Sequence, residues 1–330
     1  MAAGDAAPGL EPDETRADSL PNCYLTLIAP PALVALVGLA LFHQIAQQEA
    51  LVPGATLAAR TAPTFAFSGA LYTWIGIAFL GTAIYLIVIA LAVTKVTRRV
   101  SWPLGVKLAV AIGCLLFLLS PLFVAGLPLG SMRTALVFGS VDLSAALATL
   151  ISGDSWVYEV FLGFATGLVV VAAVFITCGI VATLAPRPVA AKGDEAAWLN
   201  RQHKDLMAYL YLGATIFVIG QVATTTWLGM AGTLLTGNQG SADLIAAAYR
   251  SYASGISTYF GAVYVAILAA AYLPAALIQS RRMAALPAAA SETPSSKQPA
   301  WAETVKSLIA LLSPLLAGPL SALVSGLMQG

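Results

Sequence analysis

SGALYTWIGIAFLGTAIYLIVIALAV, residues 68–93, carries no charged side chain in 26 positions. A helix rises about 1.5 Å per residue, so this run reaches past the roughly 30 Å of hydrocarbon in a bilayer. Apolar on every side, such a helix has no face to offer water and belongs inside a large core or in lipid. The run ends on Lys95, Arg98 and Arg99, side chains whose heads reach the headgroup layer while their stems stay apolar. Continuity also selects helix over barrel strand, because barrel strands alternate polar and apolar positions over about 10 residues.

Working outward, six more runs have comparable length: Leu25–Ala46, Val106–Leu127, Trp156–Leu184, Met207–Leu235, Ser257–Ile278 and Ser307–Met328, the last interrupted by Pro314 and Pro319. Composition agrees, with 59% hydrophobic and 9% charged residues where soluble domains carry roughly 25% charged. The chain is therefore expected to be all-α, a multi-pass transmembrane helical bundle of about seven spans.

The charges lie between the runs, and unevenly. Lys95, Arg98, Arg99 and Lys107 separate the second run from the third; Arg187, Lys192, Arg201 and Lys204 the fourth from the fifth; Arg281, Arg282, Lys297 and Lys306 follow the sixth. The alternate connections hold Arg60, Arg133 and Arg250. By the positive-inside rule the richer segments face the cytoplasm, which places the N-terminus inside and the end of a seventh span outside. Residues 1–24 set Asp5, Glu11, Asp13, Glu14 and Asp18 against Arg16. A signal peptide opens on positive charge, so this segment reads as an acidic, disordered cytoplasmic leader. The alanine-rich composition and the charge bias suggest a bacterial-type inner membrane.

The runs also echo one another. Tyr24 to Thr73 spans the same interval as Tyr209 to Thr258, and Thr73-Trp-Ile-Gly76 answers Thr258-Tyr-Phe-Gly261. Each copy continues to a basic pair, Arg98–Arg99 or Arg281–Arg282, then to Trp102 with Val106-Lys107 or Trp301 with Val305-Lys306. Both reach Leu-Leu-Ser-Pro-Leu, at 118–122 and 311–315. These matches predict an internal duplication of spans 1–3 as spans 5–7, joined by span 4. The intervening span reverses the chain, so the repeats run in parallel about an axis along the membrane normal. The expected organisation is the leader, a first repeat over 25–129, an outward loop, connector span and cytoplasmic loop over 130–204, and a second repeat over 205–330. The stretch 284–300, rich in Ala, Pro and Ser, reads as a flexible linker within the second repeat.

Few residues offer chemistry. A charge at the bilayer centre costs about 2.5–3.5 kcal/mol on insertion scales, so ion-coupled transporters retain such groups for function. Here almost none lies mid-span, and Glu159, early in span four, is the nearest. His43, Gln47, Glu49 and Glu159 form a candidate outward polar mouth; the plainer reading is helix ends emerging among headgroups. His203 lies at the opposite face, so the two histidines cannot share a haem or a metal. Gln221, Thr224 and Thr225 in span five are the deepest polar patch, serving as helix-to-helix contacts or as a path for a neutral solute. The apolar outward loop 129–154 is expected to lie as short helices in the interface or fold back, packed against the span ends, with a lid over an outward mouth as the alternative. Cys23, Cys114 and Cys178 have neither disulfide nor zinc spacing.

No Gly-rich phosphate loop, HExxH or GxSxG occurs. No cofactor, metal or nucleic acid is expected. The expected partners are the lipid bilayer and other membrane subunits or a second copy. The sequence therefore suggests a non-catalytic assembly, regulatory or accessory subunit, with a transporter or channel for a neutral or apolar solute as the alternative.

Overall fold

The computed structural model describes residues 24, 26–46, 56–57, 65–99, 108–109, 111–116, 135–138, 141–152, 155–187, 195–236, 242–286 and 305–317. These are almost entirely helical. A short 3-10 turn, Thr26–Ile28, leads into α1 (Ala29–Ala46), followed by β1 (Thr56–Leu57), α2 (Phe65–Arg99), the β2–β3 hairpin (Val137–Phe138, Val141–Asp142) and α3 (Leu143–Ser152). Then come α4 (Ser155–Ala182), α5 (Glu195–Gly232), β4 (Leu235–Thr236), α6 (Ala242–Ala284) and α7 (Val305–Ala317).

Local chemistry accounts for these elements. Pro30 and Pro31 fall in the first turn of α1, where the missing N–H would have had no partner in any case. Glu195 opens α5, while Asp243 opens α6 and Arg281 and Arg282 close it, each charge matched to the helix dipole. Asp142 caps α3 by accepting the Ala145 N–H at 2.9 Å. On the exposed side of α2, the hydroxyls of Thr73, Thr94 and Thr97 donate to the carbonyls of Gly69, Ala90 and Val93, four residues back. Their polarity is thus satisfied without water.

Five helices are long and apolar enough to cross a membrane: α1 with its leading turn, α2, α4, α5 and α6. They coincide with the first, second, fourth, fifth and sixth runs of the sequence. Of the third run only 108–109 and 111–116 are described, and of the seventh only α7. The acidic leader and most of the 284–300 linker lie outside the described residues.

Helices α4 and α5 form the inside of the bundle. α5 packs most extensively on α6, α2 lies across α4 and α5, and α1 rests on α6. α4 occupies the place between α1 and α2, so these two do not pair as α5 and α6 do. The opening turn of α1 meets α4, and beyond it a gap separates the two helices.

The bundle has two distinct ends. At one, the connections after α1 and after α5 pair antiparallel, Thr56 with Thr236 and Leu57 with Leu235. The β2–β3 hairpin and α3 pack over this hairpin end. There Leu136, Leu143 and Leu147, fully buried, join a cluster with Phe67, Trp74, Trp227 and Tyr249. The described residues of the loop read from the sequence as outward, 135–138 and 141–152, thus pack as a cap on the helix ends. At the other, basic end, Lys95 pairs with Asp205 at 3.3 Å, and α4 terminates beneath side chains of α5 and α6.

Candidate functional site

The polar patch of span five divides between two faces of α5. Gln221 and Thr225, one turn apart, face α6. The Gln221 amide is fully buried and donates through Nε2 to the Ser257 carbonyl and, at 2.6 Å, to its hydroxyl. Thr225 donates to the Gln221 carbonyl and lies 3.2 Å from the same serine hydroxyl. This is a helix-to-helix clasp. It is imperfect, since Gln221 Oε1 is buried without a partner among the described residues.

Thr224 points the other way, into a cavity of about 60 Å³ between α2, α4 and α5. The cavity lies near mid-bundle. Its walls include Trp74, Tyr85, Thr166, Trp227 and Tyr264, with Gly220 on the floor. A Cβ placed on Gly220 would stand 3.7 Å from both the Tyr85 and the Tyr264 hydroxyl, so the two phenols flank this one residue that lacks a side chain. Thr224 and Thr166 donate to the carbonyls of Gly220 and Leu162 within their own helices, which leaves their oxygen lone pairs to the cavity. The space fits a water or a small neutral solute.

A second, larger space of about 140 Å³ lies between α1 and α4, with α6 behind it. Ile28, Ala35, Leu39 and Phe42 form one wall and Val170, Ala173 and Val174 the other. The lining is almost wholly apolar, and Thr177 donates to its own helix at Ala173. Thr166, Val169 and Tyr264 border both spaces and form the partition between them. Tyr264 is held there by stacking on Phe217, centroids 4.7 Å apart and planes 10° from parallel.

The basic end holds a constellation that sequence reasoning missed. α4 stops at Ala182, and its chain-end carbonyls are buried, out of reach of water. Three side chains supply the missing donors. Gln279 donates to Thr183 O at 3.3 Å, Arg282 to Leu184 O at 2.9 Å and Gln202 to Ala185 O at 2.5 Å. The N–H groups of Thr183, Leu184 and Ala185 close back on the last carbonyls of α4, and the carbonyls of this closing turn, on buried residues, take their donors from other helices. Arg282 also donates to the Tyr24 hydroxyl at 2.8 Å, with its guanidinium 5.3 Å from the ring centroid. The available signal was the spacing of Gln279 and Arg282, which puts them on one helix face. Tyr85 and Tyr264 gave no such signal, standing singly in apolar runs.

The candidate outward mouth is only partly described. His43 is half-buried in the last turn of α1. Gln47 and Glu49 lie outside the described residues, and Glu159 is placed only as a position on α4. Asp142, at the same end of the bundle, is engaged as the cap of α3. His203 sits near the start of α5, at the basic end, so the histidines lie at opposite ends. Among the described residues no three His, Cys, Asp or Glu side chains converge on a point that could hold a metal. No protein-family model matches the chain, and neither does any curated protein or solved structure.

Proposed function

We propose that the chain is a non-catalytic integral membrane protein serving as an assembly, regulatory or accessory subunit. The observation that carries this reading is the Gln221–Ser257–Thr225 clasp: the deepest polar amide is committed to joining α5 to α6. Groups that act on a substrate must be left facing one. In support, α1 and α2 turn large apolar side chains such as Leu36, Leu41, Phe79 and Ile87 away from the bundle, faces open to lipid or to another membrane subunit. Mass measurement in mild detergent is expected to find an assembly larger than one chain. A lone monomer with no co-purifying protein overturns the proposal.

A second reading, passage of a neutral solute, is favoured by one observation, the hydroxyl-lined cavity beside Gly220. Under it, liposomes containing the protein admit glycerol faster than protein-free liposomes, and Gly220→Leu, which fills the cavity, abolishes the difference. Equal flux in the two kinds of liposome removes this reading.

The proposed topology has seven spans, a cytoplasmic N-terminus and a bacterial inner membrane as its setting, with spans 1–3 repeated as 5–7. Supporting the repeat, a two-fold that carries α1 onto α5 and α2 onto α6 maps the α1–α6 contact onto the α5–α2 contact. The antiparallel β1–β4 pair joins corresponding connections, as such an axis requires. The closed α5–α6 hairpin and the open α1–α2 pair differ under this scheme because the connector span α4 occupies the first. Supporting the orientation, Lys95, Arg201, Lys204, Arg281 and Arg282 gather at one end while Arg250 lies toward the other. Tag accessibility at both termini tests span count and orientation together; termini on the same side of the membrane exclude seven spans.

A further inference from the structure

We propose that the cleft between α1 and α4 holds an acyl chain of an anionic phospholipid whose phosphate rests on Arg282. Two features meet at this place. The first is the cation. Arg282 reaches beneath the gap to touch both helices that bound it, through Leu184 O on the α4 side and Tyr24 at the start of α1. A guanidinium has five N–H donors, and these two bonds leave donors for a further acceptor. The group is half-buried, and among the described residues no carboxylate pairs with it; the ion pair at this end is Lys95 with Asp205.

The second feature is the cleft itself. Its near end, Ile28, follows Tyr24 by four residues in the chain, so the apolar lining begins beside the cation's partner. Its wall on α1 runs from Ile28 to Phe42, about 21 Å at helical rise. One leaflet of hydrocarbon is about 15 Å deep, so a chain descending from the headgroup layer has this apolar wall beside it along its whole depth. The lining, apolar apart from Thr166, Thr177 and Tyr264, gives a soluble ligand little to bond. The recessed space, about 140 Å³, takes a stretch of a single chain and not a helix, which is about 10 Å across with its side chains. Basic pockets between spans are where acidic headgroups are recognised, by charge and by hydrogen bonds.

The test is native mass spectrometry of the full chain, released from detergent micelles that contain equimolar phosphatidylglycerol and phosphatidylcholine with identical chains. The expected result is retention of phosphatidylglycerol over phosphatidylcholine by at least about tenfold, the ratio that about 1.4 kcal/mol confers. Arg282→Gln brings the ratio close to one, and Ala35→Trp, which fills the cleft away from the cation, lowers retention of both lipids. Excess inorganic phosphate leaves the lipid adduct in place. Equal retention of the two lipids by the native chain overturns the proposal. So does a preference that survives Arg282→Gln, an adduct displaced by phosphate, or undiminished retention in Ala35→Trp. The last variant leaves the α4 terminus intact and decides the matter if Arg282→Gln does not fold.

Discussion

Replacing the three donors at the end of α4 one at a time should produce unequal losses, and their order follows from counting unsatisfied atoms. Gln202 is fully buried and donates to Ala185 O, but its own Oε1 has no partner among the described residues. Gln202→Leu therefore orphans one acceptor, the carbonyl, and removes another, the amide oxygen. A buried unsatisfied group costs about 1–3 kcal/mol, yet here the number of such groups does not change. What remains is one hydrogen bond, a net loss of about 1 kcal/mol. Gln279→Leu leaves the same count of orphans, since its Oε1 is also unpartnered among the described residues, but it breaks two bonds, to the Thr183 carbonyl and hydroxyl, and should cost somewhat more than Gln202→Leu. Arg282→Met has no such compensation. It removes the charge-assisted bond to the Leu184 carbonyl, worth about 1.5–3 kcal/mol, a cation at a helix C-terminus worth about 0.3–1, and the contact with Tyr24, whose hydrogen bond and cation–π geometry belong to one pair and are counted once at about 0.5–1. Partial exposure trims the total to about 2–4 kcal/mol. Unfolding by SDS titration in mixed micelles, followed by tryptophan fluorescence, measures each variant. Equal losses for Gln202→Leu and Arg282→Met, or a Gln202→Leu loss near 3 kcal/mol, would refute the counting argument.

Two glycine substitutions should have opposite signs. A Cβ at Gly179 would run into the Tyr209 ring, whereas Gly76 faces open space; Gly179→Ala should cost about 1–3 kcal/mol and Gly76→Ala gain up to about 1, both read in the same SDS titration. At Gly261 a Cβ would lie 3.0 Å from Leu315 Cα and 3.2 Å from Pro314 O, backbone atoms that cannot rotate aside. Gly261→Ala should therefore push α7 outward, seen as faster maleimide labelling of a cysteine placed at Ser313; an unchanged rate would show that α7 does not rely on this approach. Lys95→Met should change stability by no more than about 1 kcal/mol, because the lysine of the Lys95–Asp205 pair is 43% exposed. Gln221→Leu should stay within about 1 kcal/mol of the native chain, since interhelical hydrogen bonds in membranes average about 0.6 kcal/mol and the change removes the unpartnered Oε1; a larger loss in thermal denaturation would mean the clasp is cooperative.

Of the candidate site, the sequence exposed the residue types but not their division. Gln221, Thr224 and Thr225 are adjacent on one helix, and a single chain cannot say which neighbour each will meet. The structure sends two of them to α6 and one to the central cavity. Tyr85 and Tyr264 are far apart in the chain and unremarkable where they stand; they become a pair only because α2 and α6 both flank Gly220 of α5. The donors at the end of α4 stayed hidden for the same reason. A glutamine near a helix end reads as a solvated side chain until the partner carbonyl is known to be buried.

Sequence by itself determined the solvent and the elements. Runs such as 68–93 cannot be hydrated, the hydrocarbon thickness fixes their length, and backbone groups in lipid must bond within a helix. These constraints are local, so they can be read residue by residue, down to the positions of five spans. Only the tertiary structure decided that α4 lies between α1 and α2, that a cleft opens there, and that Arg282 stands at its foot. In lipid an apolar face meets hydrocarbon almost as favourably as it meets another helix. The choice of neighbours therefore rests on shape and on a few buried hydrogen bonds, which no stretch of sequence carries alone.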